Sequence, residues 1–259
     1  MAAEWPLGGW QNNGYSVMIE SSRPEILALI PARRGSKGIP RKNLVVVAGK
    51  PLIAFSIQQA LVSRYITRTI VSTDDAEIAQ VARCFGAEVP FMRPAEFAQD
   101  FSPDIDVFRH ALQWLRDQQG YTCELVVHLR PTGPVRRVGV IDDAIQKMLN
   151  HPEADSLRSV SWPIQTPYKM LRIAGGYLQP LLAVEGMVEP HCMPRQRLPE
   201  VYLGNGYVDV VRPRVILELG MMCGYKILPF IIREPVFDID NEDILPQVEQ
   251  ALLKLEQGL

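Results

Sequence analysis

Short apolar runs and stretches of helical period alternate along this chain, and that order constrains the fold more than any other feature. Residues 26–31 (ILALIP), 69–73 (TIVST) and 125–129 (LVVHL) are apolar runs of strand length. Between and after them, 52–63, 75–85, a segment opened by Pro103, and 138–149 carry apolar residues at helical spacing. Pro51 and Pro103 stand where a first helical turn tolerates proline. Strands buried on both faces read as such runs, and a helix between two strands returns the chain in the same direction. The expected fold is therefore α/β: a mainly parallel, Rossmann-like sheet with helices on both faces. Further strands are expected at 87–91, 156–160, 206–211, 215–219 and 228–232, with a closing helix at 244–256.

The pattern breaks between 162 and 199, where prolines and glycines are frequent. Segments 168–173 and 177–181, joined by Ala174-Gly175-Gly176, read as a hairpin. This region is expected to leave the core as an arm. Residues 1–22 read as a loose tail, within which Met18 is a candidate start, and 23–259 as one domain. The net charge of -2 argues against a general nucleic-acid binder. No apolar run reaches the roughly 18 residues that a membrane span needs. The four cysteines are far apart with no CxxC pair, which suits a reduced, cytoplasmic protein without a zinc ribbon.

The first apolar run leads straight into IPARRGSKGIPRKN, residues 30–43. In open α/β sheets, ligands sit beyond the carboxyl ends of the strands, so this loop lies where a ligand is expected. Glycines expose backbone N–H groups, and Arg33, Lys37 and Lys42 add charge, a combination suited to a polyphosphate. Neither a Walker A pattern nor G-x-G-x-x-G can be laid on it. A second feature is VFDID, residues 236–240. In extended chain Asp238 and Asp240 point the same way, which suits Mg²⁺ or two solvated carboxylates. His110 and His128 read as packing histidines. His191, beside Cys192, lacks enough partners for a metal site.

Arg33, Ser36, Lys37, Gly38, Lys42 and Asn43 fill the signature Arg-x-x-Ser-Lys-Gly-x-x-x-Lys-Asn, and the chain resembles the N-acylneuraminate cytidylyltransferases, or CMP-sialic acid synthetases. The related Kdo cytidylyltransferases usually continue with Lys-Pro where Asn43 stands. The likeness extends through Val71-Ser72-Thr73-Asp74, Arg93-Pro94-Ala95-Glu96, the segment Leu129 to Arg136, Arg195-Gln196-Arg197-Leu198-Pro199 and Asn205-Gly206. Arg130 replaces a Gln that in the family helps read cytosine, Gly133 replaces Ser, and Gly204 replaces Pro. Arg130 can donate to the base carbonyl but cannot accept from its amine.

The resemblance implies a nucleotidyltransferase that joins CTP to a sialic-acid-like nonulosonic acid, giving the CMP-sugar and pyrophosphate. It assigns catalysis to Arg33, Lys37 and Lys42. Ala32, Arg33, Ser36, Lys37, Asn43, Arg93, Arg130 and Thr132 would bind the nucleotide. Arg195, Gln196 and Asn205 would bind the sugar acid, and Asp238 and Asp240 would hold Mg²⁺. It also implies a homodimer in which the 162–199 arm reaches the partner's site. A Kdo or other sugar nucleotidyltransferase, or a non-catalytic CTP-binding protein, are the alternatives.

Overall fold

The computed structural model describes residues 23–257; the tail expected at 1–22, and Met18 within it, lie outside them. In chain order the elements are β1 (Ile26–Pro31), β2 (Val46–Val47), β3 (Lys50–Pro51), α1 (Leu52–Leu61), β4 (Arg68–Ser72), α2 (Ala76–Cys84), α3 (Asp104–Gln119) and β5 (Leu125–His128). They continue with α4 (Val138–Leu149), β6 (Ser156–Ser161), β7 (Leu171–Ala174), β8 (Tyr177–Pro180), β9 (Leu203–Val211), α5 (Pro213–Leu217), β10 (Ile227–Ile231) and α6 (Leu245–Glu256).

Six strands form one sheet in the order β10-β6-β9-β5-β1-β4. β1 runs parallel to β4 and β5, and β10 parallel to β6; β9 alone runs antiparallel to its two neighbours. From β1 the chain goes first to β4 on one side and later to β5 on the other. The crevice between the ends of β1 and β5 is thus a topological switch point, where ligands bind in this architecture.

Strand parity sorts the core. Ile26, Ala28 and Ile30 of β1 face α1, α2 and α4, and pack with Ile57, Ala79 and Ile145. Leu27 and Leu29 face the other way, onto Phe108, Leu112 and Leu115 of α3 and Ile216 of α5. Both faces are therefore covered, which is why the strands read as unbroken apolar runs. Asp75 starts α2 by accepting the backbone N–H groups of Glu77 and Ile78, each at 2.9 Å, as an N-cap does.

The arm explains the antiparallel strand. β6 and β9 pair at their open ends, Val160 with Gly204 and Ser161 with Leu203. The intervening chain is the loop of that pair and carries the β7–β8 hairpin, a separate two-stranded sheet. Its turn is Gly175-Gly176, both at positive φ, as a two-residue hairpin turn requires. The first hairpin strand begins at Leu171, later than the expected 168, because residues 167–169 form a 3₁₀ turn.

Two expected strands differ. Residues 215–219 belong largely to α5: Pro213 at its first turn presets a helical φ, and a short apolar run does not declare its period. At 87–91 only Glu88 bridges to Ile70. Pro90 lacks an N–H and cannot extend a ladder.

Candidate active site

The cations of the loop after β1 divide into two groups. Arg34 and Arg41 turn outward: Arg34 reaches Asp75 at 3.5 Å, and Arg41 pairs with Asp75 at 3.4 Å and Glu77 at 2.8 Å. Arg33, Lys37 and Lys42 instead line a cavity of about 390 Å³, with Ser36, Gly38 and Asn43. Asn43 fixes the loop's shape by donating from Nδ2 to the Arg33 carbonyl at 2.9 Å. Ala32 is buried and donates its N–H to the Ser72 carbonyl at 2.9 Å, continuing β1 beside β4. Across the cavity, the Asp100 carboxylate lies between Arg33 (3.0 Å) and Lys37 (3.1 Å). Lys37, then Arg33, hold its carboxyl below the usual range.

The VFDID segment is joined to this loop. Lys42 Nζ donates to the Ile239 carbonyl at 2.6 Å and pairs with Asp240 Oδ1 at 3.1 Å. Gly38 packs so closely on the Asp240 carbonyl that no side chain fits there: an added Cβ would fall well inside 3.0 Å of the oxygen. The Ile239 N–H reaches the Thr132 carbonyl at 2.8 Å. Ile239 is buried while Asp238 and Asp240 are exposed, the alternation expected of extended chain. No strand forms here.

The loop after β5 is held by Arg136, buried to 2% exposure. Its guanidinium donates to the carbonyls of Tyr207 and Arg130, both at 2.5 Å, and to Ser56 Oγ at 3.0 Å. Burial pushes its pKa down to about 10, so it stays charged at neutral pH. A Cβ on Gly133 would sit 3.0 Å from Arg136 Nη2, a tight contact. Arg93 is also buried and holds the Ser72 carbonyl and hydroxyl at the end of β4; burial lowers its pKa to about 10. Arg130 pairs with Asp209 Oδ2 at 2.8 Å and reaches Asp104 at 3.6 Å.

Nine of the expected site residues thus line one cavity: Arg33, Ser36, Lys37, Lys42, Asn43, Arg93, Arg130, Thr132 and Asp240. A neighbouring cavity of about 750 Å³ shares Arg130 and adds Asp238, Asn205, Arg158, Trp162 and Arg233. Asn205 is tied locally, donating to Ser161 Oγ at 2.7 Å and accepting from the Tyr207 N–H at 3.1 Å. Arg195 and Gln196 stand apart, in a third cavity of about 290 Å³. Arg195 donates to the carbonyls of Pro163 and Ile164. In the arm, Glu189 joins His191 and Cys192, their ligand atoms lying within 4.8 Å of one another, one partner more than the sequence offered.

This crevice sits at the switch point, walled by a glycine-rich cationic loop and by Asp240, while Asp238 lines the neighbouring cavity. A family model described as Cytidylyltransferase matches residues 27–178. The chain belongs to the cytidylyltransferase family. It is 42% identical over 238 residues to the CMP-N,N'-diacetyllegionaminic acid synthase of Legionella pneumophila, covering 90% of this chain and 97% of that one. It is 37% identical over 125 residues to the pseudaminic acid cytidylyltransferase of Campylobacter jejuni, covering 48% of this chain and 53% of that one, so the match spans about half that relative's length. The fold is that of a CMP:2-keto-3-deoxy-manno-octonic acid synthetase complexed with CTP, at a TM-score of 0.66 and 17% identity, covering 89% of this chain and 99% of that one.

Asp100, Arg136, Asp209 and His128 were not singled out as site residues from sequence. Arg136 stands within the resembling segment, so its position was in view. Asp100 and Asp209 carry no local motif, and only the fold brings them to the cavity.

Proposed function

We propose that this protein is a CMP-nonulosonic acid synthetase. The anomeric oxygen at C2 of a sialic-acid-like sugar acid attacks the α-phosphorus of CTP. The bond from that phosphorus to the bridging oxygen breaks, pyrophosphate leaves, and the CMP-sugar forms. The observation that carries this reading is the junction at Lys42. One side chain belongs to the phosphate-suited loop and bonds directly to the paired-carboxylate segment.

The chemical problem is charge, since a polyanionic nucleotide must meet an anionic sugar acid. Arg33 and Lys37 would take the phosphates, exchanging the Asp100 carboxylate for phosphate oxygens. The loop N–H groups would hold the chain in place. Lys42, 13% exposed and fixed by two acceptors, is preorganised toward charge developing at the α-phosphorus. Arg130 would donate to the cytosine carbonyl from its place between the two larger cavities. The exposed oxygen donors of Asp238 and Asp240 suit Mg²⁺, which when bound would offset the charge of the reacting phosphate. Positioning of the two reactants supplies much of the remaining rate.

The arm supports a homodimer. Ile164, Ile173, Tyr177 and Val188 are each more than three-quarters exposed, so one arm presents four large apolar side chains for a partner to cover. Arg195 and Gln196, which do not line the nucleotide cavity, would then serve the partner's site. Four free cysteines suit a cytoplasmic setting, and among the described residues no helix is long and apolar enough to cross a membrane.

Asp240→Asn tests the metal assignment. Turnover should fall at least 100-fold with the circular dichroism unchanged, and near-normal rates at saturating Mg²⁺ would remove the assignment.

A further inference from the structure

The sheet face under α3 is apolar along most of its width, through Leu27, Leu29, Ile70 and Val126. Toward the ends of β5, β9 and β6 it turns polar. His128 is paired in register with Asp209, and Asp209 with Arg158, so three polar side chains lie side by side on adjacent strands. They line a cavity of about 230 Å³. It shares His128 and Arg130 with the nucleotide cavity and Arg130 and Arg158 with the larger one.

The row is not satisfied by the protein. His128 is 1% exposed, with Phe108 edge-on at 4.6 Å, and neither ring nitrogen has a partner. Asp209 Oδ1 and Arg158 Nε are buried and face each other at 3.8 Å, an ion-pair distance too long for a hydrogen bond, and neither has a hydrogen-bond partner. Burial, and then the arginines at 130, 136 and 158, push the His128 pKa well below its usual value. The ring is therefore neutral and offers one donor and one acceptor. Buried polar groups are nearly always paired, so unpaired ones call for a partner. The vacant functions are two acceptors and two donors, beside apolar Val211 and Met222. A phosphate or carboxylate is a poor match, because the cations lining the cavity, Arg130 and Arg158, already face its two carboxylates, Asp104 and Asp209. A group with an N–H, a carbonyl and a small apolar end matches all of these features.

We propose that His128, Asp209 and Arg158 form a subsite for an acylamido substituent of the sugar acid. Its N–H is donated to Asp209, and its carbonyl accepts from Arg158 or His128. This assignment rests on the sugar-acid reading above and adds the residues that select among such acids.

The test compares sugar acids that differ only by an acylamido group or a hydroxyl at one carbon, with CTP, in wild type, His128→Leu and Arg158→Met. A buried site built for a hydrogen-bonding group rejects analogues lacking it. Wild type should favour the acylamido acid by about 10- to 100-fold in kcat/KM for one such position. Each variant should reduce that ratio to about threefold, and Arg158→Met, at a residue that does not line the nucleotide cavity, should keep the KM for CTP within about twofold of wild type. Arg158 is 41% exposed, so its variant serves if the buried histidine variant does not fold. A ratio kept in the folded variants, or a shift confined to CTP, would overturn the subsite and leave the row to water. If wild type turns over no sugar acid, the proposed function fails by itself. Calorimetric titration of the N-acetylated acid then decides the subsite: tenfold weaker binding in the variants keeps it, and equal or no binding overturns it.

Discussion

Gly38→Ala is the perturbation that most directly strains the join between the cationic loop and the paired carboxylates. Gly38 does not need positive φ; it needs the absence of a side chain. The methyl group of alanine would fall well inside 3.0 Å of the Asp240 carbonyl oxygen and 3.1 Å from its carbon. Backbone, not a flexible side-chain tip, is what it meets, so either the loop or the 237–240 segment must withdraw by about 1 Å. Overpacking of this kind costs about 1–3 kcal/mol, or about 2–12 °C in Tm for a chain this size. The larger effect is on chemistry. Lys42 spans the same join, and a displacement of about 1 Å at a reacting centre lowers turnover about 100-fold. Pyrophosphate release measures the rate and circular-dichroism melting the stability. Gly35→Ala is the stability control, since its added Cβ would meet only Arg33 Nη1 at 4.0 Å, and it should melt with the wild type. Gly38→Ala activity within fivefold of wild type would refute the claim that loop and carboxylates act as one rigid site.

Other expectations follow from the same geometry. Lys42→Met should lower kcat about 100- to 1,000-fold in single-turnover assays while CTP still binds in calorimetry. Asp100→Asn frees Arg33 and Lys37 and should lower the KM for CTP several-fold. Because the folded Asp100 carboxyl is held below its ordinary value, the clasp is present above the unfolded pKa of about 3.9 and is lost only as pH falls through the lower folded value. The KM difference should therefore be constant from pH 6 to 9, and a change across that range would contradict the ion-pair assignment. Arg136→Met leaves the carbonyls of Arg130 and Tyr207 without their buried donor and should cost about 2–6 kcal/mol, about 1–3 for each unpaired acceptor, read by denaturant melting.

Much of this architecture is legible in the sequence. Continuous apolar runs alternating with helical period required a mainly parallel sheet, and glycines among cations marked the end of β1 as the ligand edge. Local order could not reveal the direction of β9, which depends on the arm closing a β6–β9 pair across 162–202. The helix at 213–217 was hidden because five apolar-rich residues are too few to show a period, although Pro213 was a usable signal. The cavity-lining residues of the loop after β1 are legible because they are contiguous. Asp100 and Asp209 are not, because what matters is the cation each one faces, and that contact spans 67 residues for Arg33 and 79 for Arg130. Arg195 shows the converse: the segment was recognised, but within one subunit it bonds to its own arm.

The central claim is tested most directly by pyrophosphate release from CTP and Mg²⁺ over a panel of nonulosonic acids, with Kdo and UTP as controls. Release is expected with CTP and at least one nonulosonic acid, and background rates with Kdo or with UTP. Release with Kdo in preference to every nonulosonic acid, or CTP binding with no release across the panel, would contradict it.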